Sequence, residues 1–452
     1  MSLVIFGLYF LLIFGSVLRP KLFVYVVFLL GPLPVGSLLR HPAVATPIGE
    51  IHINALIVFA ILVASAFGLL VRAQDTSRQA KKIWLFLAFF GFATLSMGWS
   101  ADLGMAVRMM FKLVAPVAFM LFIAINIGRI GIPTLLRAVV LSGVVYAVAT
   151  ILSWGLGLTL NHEFGLPATS RAVTSGHLLA PVSVLFAELA TKPGVVRLIL
   201  ALFLTGTLLA GFTRITIAGL FGSVSIAFFL RLKGFARVAL PVLGVLGFIA
   251  LFTLVGQFRE RMFLNRADQF SFTTVLEDPS RAVEAIGGSG RYLAWNIAFN
   301  RLFKPNPLLG SGVGSAQLMF VDQGGAQISA VHSEVLRLLC DVGIVGFALY
   351  VLAWVQLFWL TRRRLRESQN GPLRTVATAA MAAGTAYLIF MLTDNGFDYV
   401  SQIGVFVYGL IGATIGSRAE PTRGARPETE RKPAEPEKKP APAELARSRP
   451  RQ

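Results

Sequence analysis

The sequence predicts an all-α fold: a polytopic transmembrane bundle of about twelve to fourteen spans, with one large loop outside the lipid that contains short helices. Three observations predict it. Of 452 residues, 55% are hydrophobic and only 14% charged, and the mean hydropathy is +0.72, which is too apolar for a soluble enzyme of this length. The apolar residues come in separate runs near the ~17–25 residues a helix needs to cross hydrocarbon, where backbone amides must be satisfied within the segment itself. The basic residues gather in small clusters between those runs.

Taken in order, the runs centre on 2–18, 22–39, 53–71, 83–98, 105–127, 133–157, 176–190, 197–212, 215–230, 237–256, 336–360, 375–393 and 400–416. The first lacks a basic leader and a small-residue cleavage site, so it is expected to stay as a span. Four parts follow: residues 1–256 as an N-terminal bundle of about ten spans, 257–331 as an extracytoplasmic catalytic loop, 332–416 as C-terminal transmembrane helices, and 417–452 as a tail. The tail carries ten basic and six acidic residues among Pro and Ala, a composition expected to be disordered.

A net charge of +19 would suggest nucleic acid in a soluble chain. Here the positions of the charges make them topology signals. Arg72, Arg78, Lys81 and Lys82 form one cluster, Lys192 and Arg197 a second, Arg231, Lys233 and Arg237 a third, and Arg362, Arg363, Arg364 and Arg366 a fourth. With these loops and the tail in the cytoplasm, alternation puts 40–52, 99–104, 158–175, 257–331 and 394–399 on the opposite side. No nucleic-acid partner is expected. The single cysteine, Cys340, excludes an internal disulfide and reads as a core thiol.

The long polar stretch concentrates the candidate chemistry. His332 opens a new apolar segment at its end, where an imidazole at the wet edge of a dry cavity can take a proton from a hydroxyl near neutral pH. A helix-start histidine that only hydrogen-bonds the loop is the plainer alternative. Arg291 follows Gly287, Gly288, Ser289 and Gly290 and starts a helix-like run, a combination that can grip a phosphate through the guanidinium and the helix N-terminus together. Its alternative is a solvated or ion-paired loop arginine. Arg214, in GFTRITIAG, sits in a tight turn between two apolar runs, where an unpaired charge costs several kcal/mol unless it snorkels to the interface. Arg171 and His177 in TSRAVTSGHLLAP are further candidates for lining a substrate cavity, and so are Asp394 and Asp398 in TDNGFDYV, a turn that can equally cap helices.

No D-x-D, H-E-x-x-H or G-x-x-x-x-G-K-[ST] motif occurs, so metal-dependent sugar-nucleotide transfer, zinc hydrolysis and P-loop ATP use lack support, and neither metal nor cofactor is expected. GSGVG at Gly310–Gly314, after Pro305, Asn306 and Pro307, reads as a turn.

His332 and Ser333 are followed by nine residues, then Gly343 and Gly346, and this H-S-x9-G-x-x-G spacing resembles the O-antigen ligase and polymerase superfamily of bacterial membrane glycosyltransferases. The likeness is sharpest from about Arg214 to Gly346. It implies inverting, metal-independent glycosyl transfer from a polyprenyl (undecaprenyl) diphosphate-linked oligosaccharide at the periplasmic face of the inner membrane. His332 would be the base and Arg214 and Arg291 would hold the diphosphate. The acceptor would be the next lipid-linked repeat of an exopolysaccharide or O-antigen, with lipid A core as the alternative and other polysaccharide assembly proteins as possible partners. A transporter or flippase of lipid-linked oligosaccharide is the rival from another class; transporters place their polar features near the bilayer midplane, whereas these candidates gather at one face.

Overall fold

The computed structural model describes residues 2–32, 43–46, 49–155, 171–211, 213–232, scattered positions between 234 and 250, then 291–321, 331–368 and 371–417. Predicted features at 257–290 and 322–330, and the tail from 418, lie outside the described residues.

Helices dominate in chain order: α1 (Ser2–Ser16), α2 (Pro20–Leu30), α3 (Ile53–Val71), α4 (Ala73–Ala80), α5 (Trp84–Ser96), α6 (Leu103–Ile130), α7 (Ile132–Gly155), α8 (Arg171–Leu189), α9 (Val195–Ala210), α10 (Arg214–Arg231), α11 (Arg291–Ala298), α12 (Ser315–Val321), α13 (Glu334–Glu367), α14 (Pro372–Thr393) and α15 (Val405–Gly416). Seven helical stretches among the described residues are long and apolar enough to cross a membrane, and five further apolar helices are shorter. The polytopic helical bundle is thus observed. The run at 22–39 is helical through Leu30 and lies outside the described residues from 33 onward, and the run at 237–256 falls largely outside them too. One departure from an all-helical chain is a short antiparallel hairpin, Ala43–Thr46 with Gly49–His52, in the loop expected at 40–52.

Lipid removes the hydrophobic drive between helices, so close packing of small residues has to hold the bundle. α15 shows this against α6: a Cβ on Gly412 would meet the Met120 carbonyl, and one on Gly416 the Ala124 carbonyl, so the two backbones touch. Gly143 of α7 likewise admits the ring of Pro181 from α8. Outward-facing leucines and valines on α1, α3 and α9 stay exposed, as expected where the solvent is hydrocarbon. By contrast α4 is polar, buries none of its residues and joins α3 to α5.

The most consequential local feature is a break in α13. Gly343 has φ +64° and ψ −171°, a conformation essentially reserved for glycine, and interrupts the helix within its membrane-spanning length. Backbone groups freed there must be satisfied by protein. Residues 307–312 do this. The N–H groups of Ser311 and Gly312 donate to the carbonyls of Cys340 (2.8 Å) and Asp341 (2.9 Å), while those of Ile344 and Val345 donate to the carbonyls of Pro307 (2.9 Å) and Leu308 (3.2 Å). The Asp341 carboxylate, buried, accepts from the N–H groups of Gly314 (2.9 Å) and Ala316 (2.8 Å). The glycine-rich turn is therefore a brace for a broken helix. What approaches Gly343 is the loop at Leu308, where an added Cβ would strike the Leu308 backbone. Gly346 does face a helix, against Phe92 of α5.

Candidate active site

Three segments distant in sequence meet where α13 begins and α14 ends. Ser333 caps α13, its hydroxyl accepting from the Leu336 N–H at 3.3 Å, so His332 stands just outside the helix. Its φ of +50° makes it the one non-glycine residue with a left-handed backbone among the described residues, a strain that tends to cluster at functional sites. The ring is partly exposed, at 34% of its side chain, and Nδ1 lies 3.3 Å from the Asn395 amide and 3.9 Å from Asp394 Oδ1. Asp394 and Asn395 are themselves buried. Asp394 Oδ2 and Asn395 Oδ1 find no hydrogen-bond partner among the described residues. Both neighbours address Nδ1 of the ring.

α11 is tied to both sides of this point. Trp295 donates its indole N–H to the Val331 carbonyl at 2.7 Å, one residue before His332. Arg291, at the first position of α11, donates to the Thr393 carbonyl at 2.8 Å, one residue before Asp394. Arg214 is the first residue of α10 and is half-buried there. The glycines at 287, 288 and 290 lie outside the described residues.

The remaining sequence candidates separate. Asp394 is in the site. Asp398, expected to line a cavity, is instead engaged by cations on two sides: Lys112 of α6 forms a salt bridge with Oδ1, and Arg337 of α13 donates to Oδ2 at 3.1 Å. His177 is a second correction. It is wholly buried in the bundle, with Nδ1 2.8 Å from the Gln402 carbonyl and Nε2 3.3 Å from the Ser142 hydroxyl, and its ring meets Tyr146 and Phe406 edge-on. A histidine so enclosed has no nitrogen left for substrate. Arg171 begins α8, and its side chain lies outside the described positions. Cys340 is buried as expected.

The structure also adds residues that the sequence reading passed over. Glu334 and Arg337, both wholly buried, lie in the first turns of α13; Gln317 of α12 accepts from Arg337 at 2.9 Å; and the N–H of Phe397 donates to Glu334 Oε1 at 2.8 Å. The available signal was charge placed inside an apolar helix, in HSEVLRLLCD and again in MMFKLVAP, which marks a functional position by default. Among the described residues, no group of three or more His, Cys, Asp or Glu side chains converges as metal ligands would.

Fold and site together define a polytopic helical membrane protein with an imidazole, a carboxylate and the Arg291 guanidinium gathered where α13 begins and α14 ends. Residues 199–351 match the family model for O-Antigen ligase, a likeness that supports the resemblance to that superfamily. The matched stretch includes Arg214, Arg291, His332 and Gly343, whereas Lys112, Asp394 and Asp398 fall outside it. No curated protein matches the chain.

Proposed function

We propose that this protein transfers a glycan from a polyprenyl diphosphate carrier to a sugar hydroxyl at the periplasmic face of a bacterial inner membrane, and that it polymerises exopolysaccharide or O-antigen repeats. The observation that carries this reading is the double tether at the site: Arg291 bonds the residue before Asp394, and Asp394 faces His332.

The chemistry follows from the residue types. The acceptor hydroxyl gives its proton to His332 Nε2 as its oxygen bonds to the anomeric carbon, and the C–O bond to the diphosphate breaks on the opposite face, inverting that carbon. Arg214 and Arg291 pair with the departing diphosphate, whose charge grows as the bond breaks, and guanidiniums suit this because they pair with phosphate oxygens bidentately. The Asp394 carboxylate, 3.9 Å from Nδ1, favours a proton on that nitrogen and stabilises the imidazolium that forms. The basic clusters support a cytoplasmic side opposite the site.

The experiment uses purified protein in lipid with undecaprenyl diphosphate-linked repeat units and a metal chelator, comparing wild type with His332→Ala. A ladder of longer glycans from wild type alone supports the proposal. A product that forms only after lipid A core is added makes the protein a ligase, and no product under either condition favours a transporter of the same lipid-linked glycan.

A further inference from the structure

Behind the proposed base lies a cluster of two cations and two carboxyl groups, of which Arg337 and Glu334 are wholly buried and Lys112 and Asp398 partly exposed. Arg337 is its hub. The guanidinium, wholly buried, donates to Glu334 Oε1 at 3.3 Å, to Gln317 Oε1 at 2.9 Å and to Asp398 Oδ2 at 3.1 Å, while Lys112 pairs with the other oxygen of Asp398. Glu334 in turn accepts the backbone N–H of Phe397 at 2.8 Å.

Stability is a poor reason for such a cluster, because apolar side chains of similar volume are often as stabilising as a buried ion pair, which must be stripped of water. What the cluster does accomplish is registry. It joins α6, α12, the start of α13 and the 394–399 turn at one point, and three of its bonds end on the 397–398 part of that turn. The same turn presents Asp394 and Asn395 to Nδ1 of His332. Arginine does not release its proton in a protein, so the hub acts as a clamp and cannot relay protons.

We infer that Arg337 and Glu334, with Lys112 and Asp398, are positioning residues that hold the Asp394–Asn395 edge of the turn against His332 and so fix which ring nitrogen meets the acceptor. This rests on His332 serving as the base.

The test uses full-length protein in lipid nanodiscs with the lipid-linked repeat unit as substrate. Arg337→Met should lower kcat by about 10²-fold while leaving KM for the lipid-linked donor within about twofold, since misplacing a catalytic group by roughly 1 Å has that order of effect. Arg337→Lys should recover part of the loss. In the His332→Ala background the same substitution should cause no further loss, because a residue acting only through His332 has nothing left to position. A readout independent of turnover is carbethoxylation of His332 by diethyl pyrocarbonate, followed by mass spectrometry, which should be about threefold faster once the turn is released.

Wild-type kcat together with wild-type carbethoxylation in Arg337→Met overturns the inference. Should that variant not accumulate in the membrane, Glu334→Gln decides in its place, as it keeps the acceptor for Phe397 but loosens the hold on Arg337. It should lower kcat and speed carbethoxylation in the same sense, and no change in either overturns the inference. Were His332→Ala to keep wild-type turnover, the base assignment would fall, and the carbethoxylation rates would still report whether the cluster holds the ring.

Discussion

His177 and His332 lie in two regions of one bundle that treat the same side chain in opposite ways. Around His177 every direction is occupied: two ring nitrogens meet a carbonyl and a hydroxyl, two aromatic edges close the faces, and no surface is left to solvent. Around His332 one nitrogen is held by a buried carboxylate and amide while the other side of the ring stays open. The difference teaches what distinguishes an intramembrane polar residue that closes a structure from one that serves chemistry. The first has all its hydrogen-bonding capacity used internally; the second has half of it oriented and half available.

Substitutions can break this contrast, beginning with the largest effect. His332→Ala should lower turnover by about 10²–10⁴-fold, the range general-base catalysis supplies, with an unchanged thermal unfolding midpoint. Equal activity of the variant and wild type in the glycan-ladder assay would remove His332 from the reaction. Next, Arg291→Ala should reduce kcat/KM by about 10²-fold or more through lost charge stabilisation, and Arg291→Lys should restore only part, because an ammonium cannot reproduce the bidentate fork. Full recovery with lysine would mean that only the charge matters.

Two further substitutions address structure. Gly343→Ala should destabilise the protein by about 3 kcal/mol or more, combining the strain of a positive φ with a clash against the Leu308 backbone. A thermal midpoint equal to that of wild type would show that the 307–312 brace does not need glycine there. Finally, His177→Phe should cost about 1–3 kcal/mol by stranding the Gln402 carbonyl, yet leave kcat near wild type. A loss of turnover without a loss of stability would move His177 from the core into the site and erase the contrast with His332.

Much of the site was legible as residue types. His332, Arg291, Arg214 and Asp394 each stood out because a polar or charged group beside an apolar run is costly and so calls for a reason. Asp398 stood out on the same ground but is committed to Lys112 and Arg337, and sequence offers no way to tell a carboxylate that meets substrate from one that meets a cation 286 residues away in the chain. Glu334 and Arg337 were passed over because one turn of separation on an apolar helix resembles an ordinary surface pair until burial is known.

The sequence by itself determined the helical membrane fold and offered the residue types able to do chemistry, because lipid imposes a length and a backbone rule that composition records directly. Only the tertiary structure decided which of those residues meet. The glycine string's role as a brace for α13, the enclosure of His177, and the four-charge clamp behind His332 all depend on contacts between segments tens to hundreds of residues apart. Such contacts are set by the packing of helices, which no local pattern encodes.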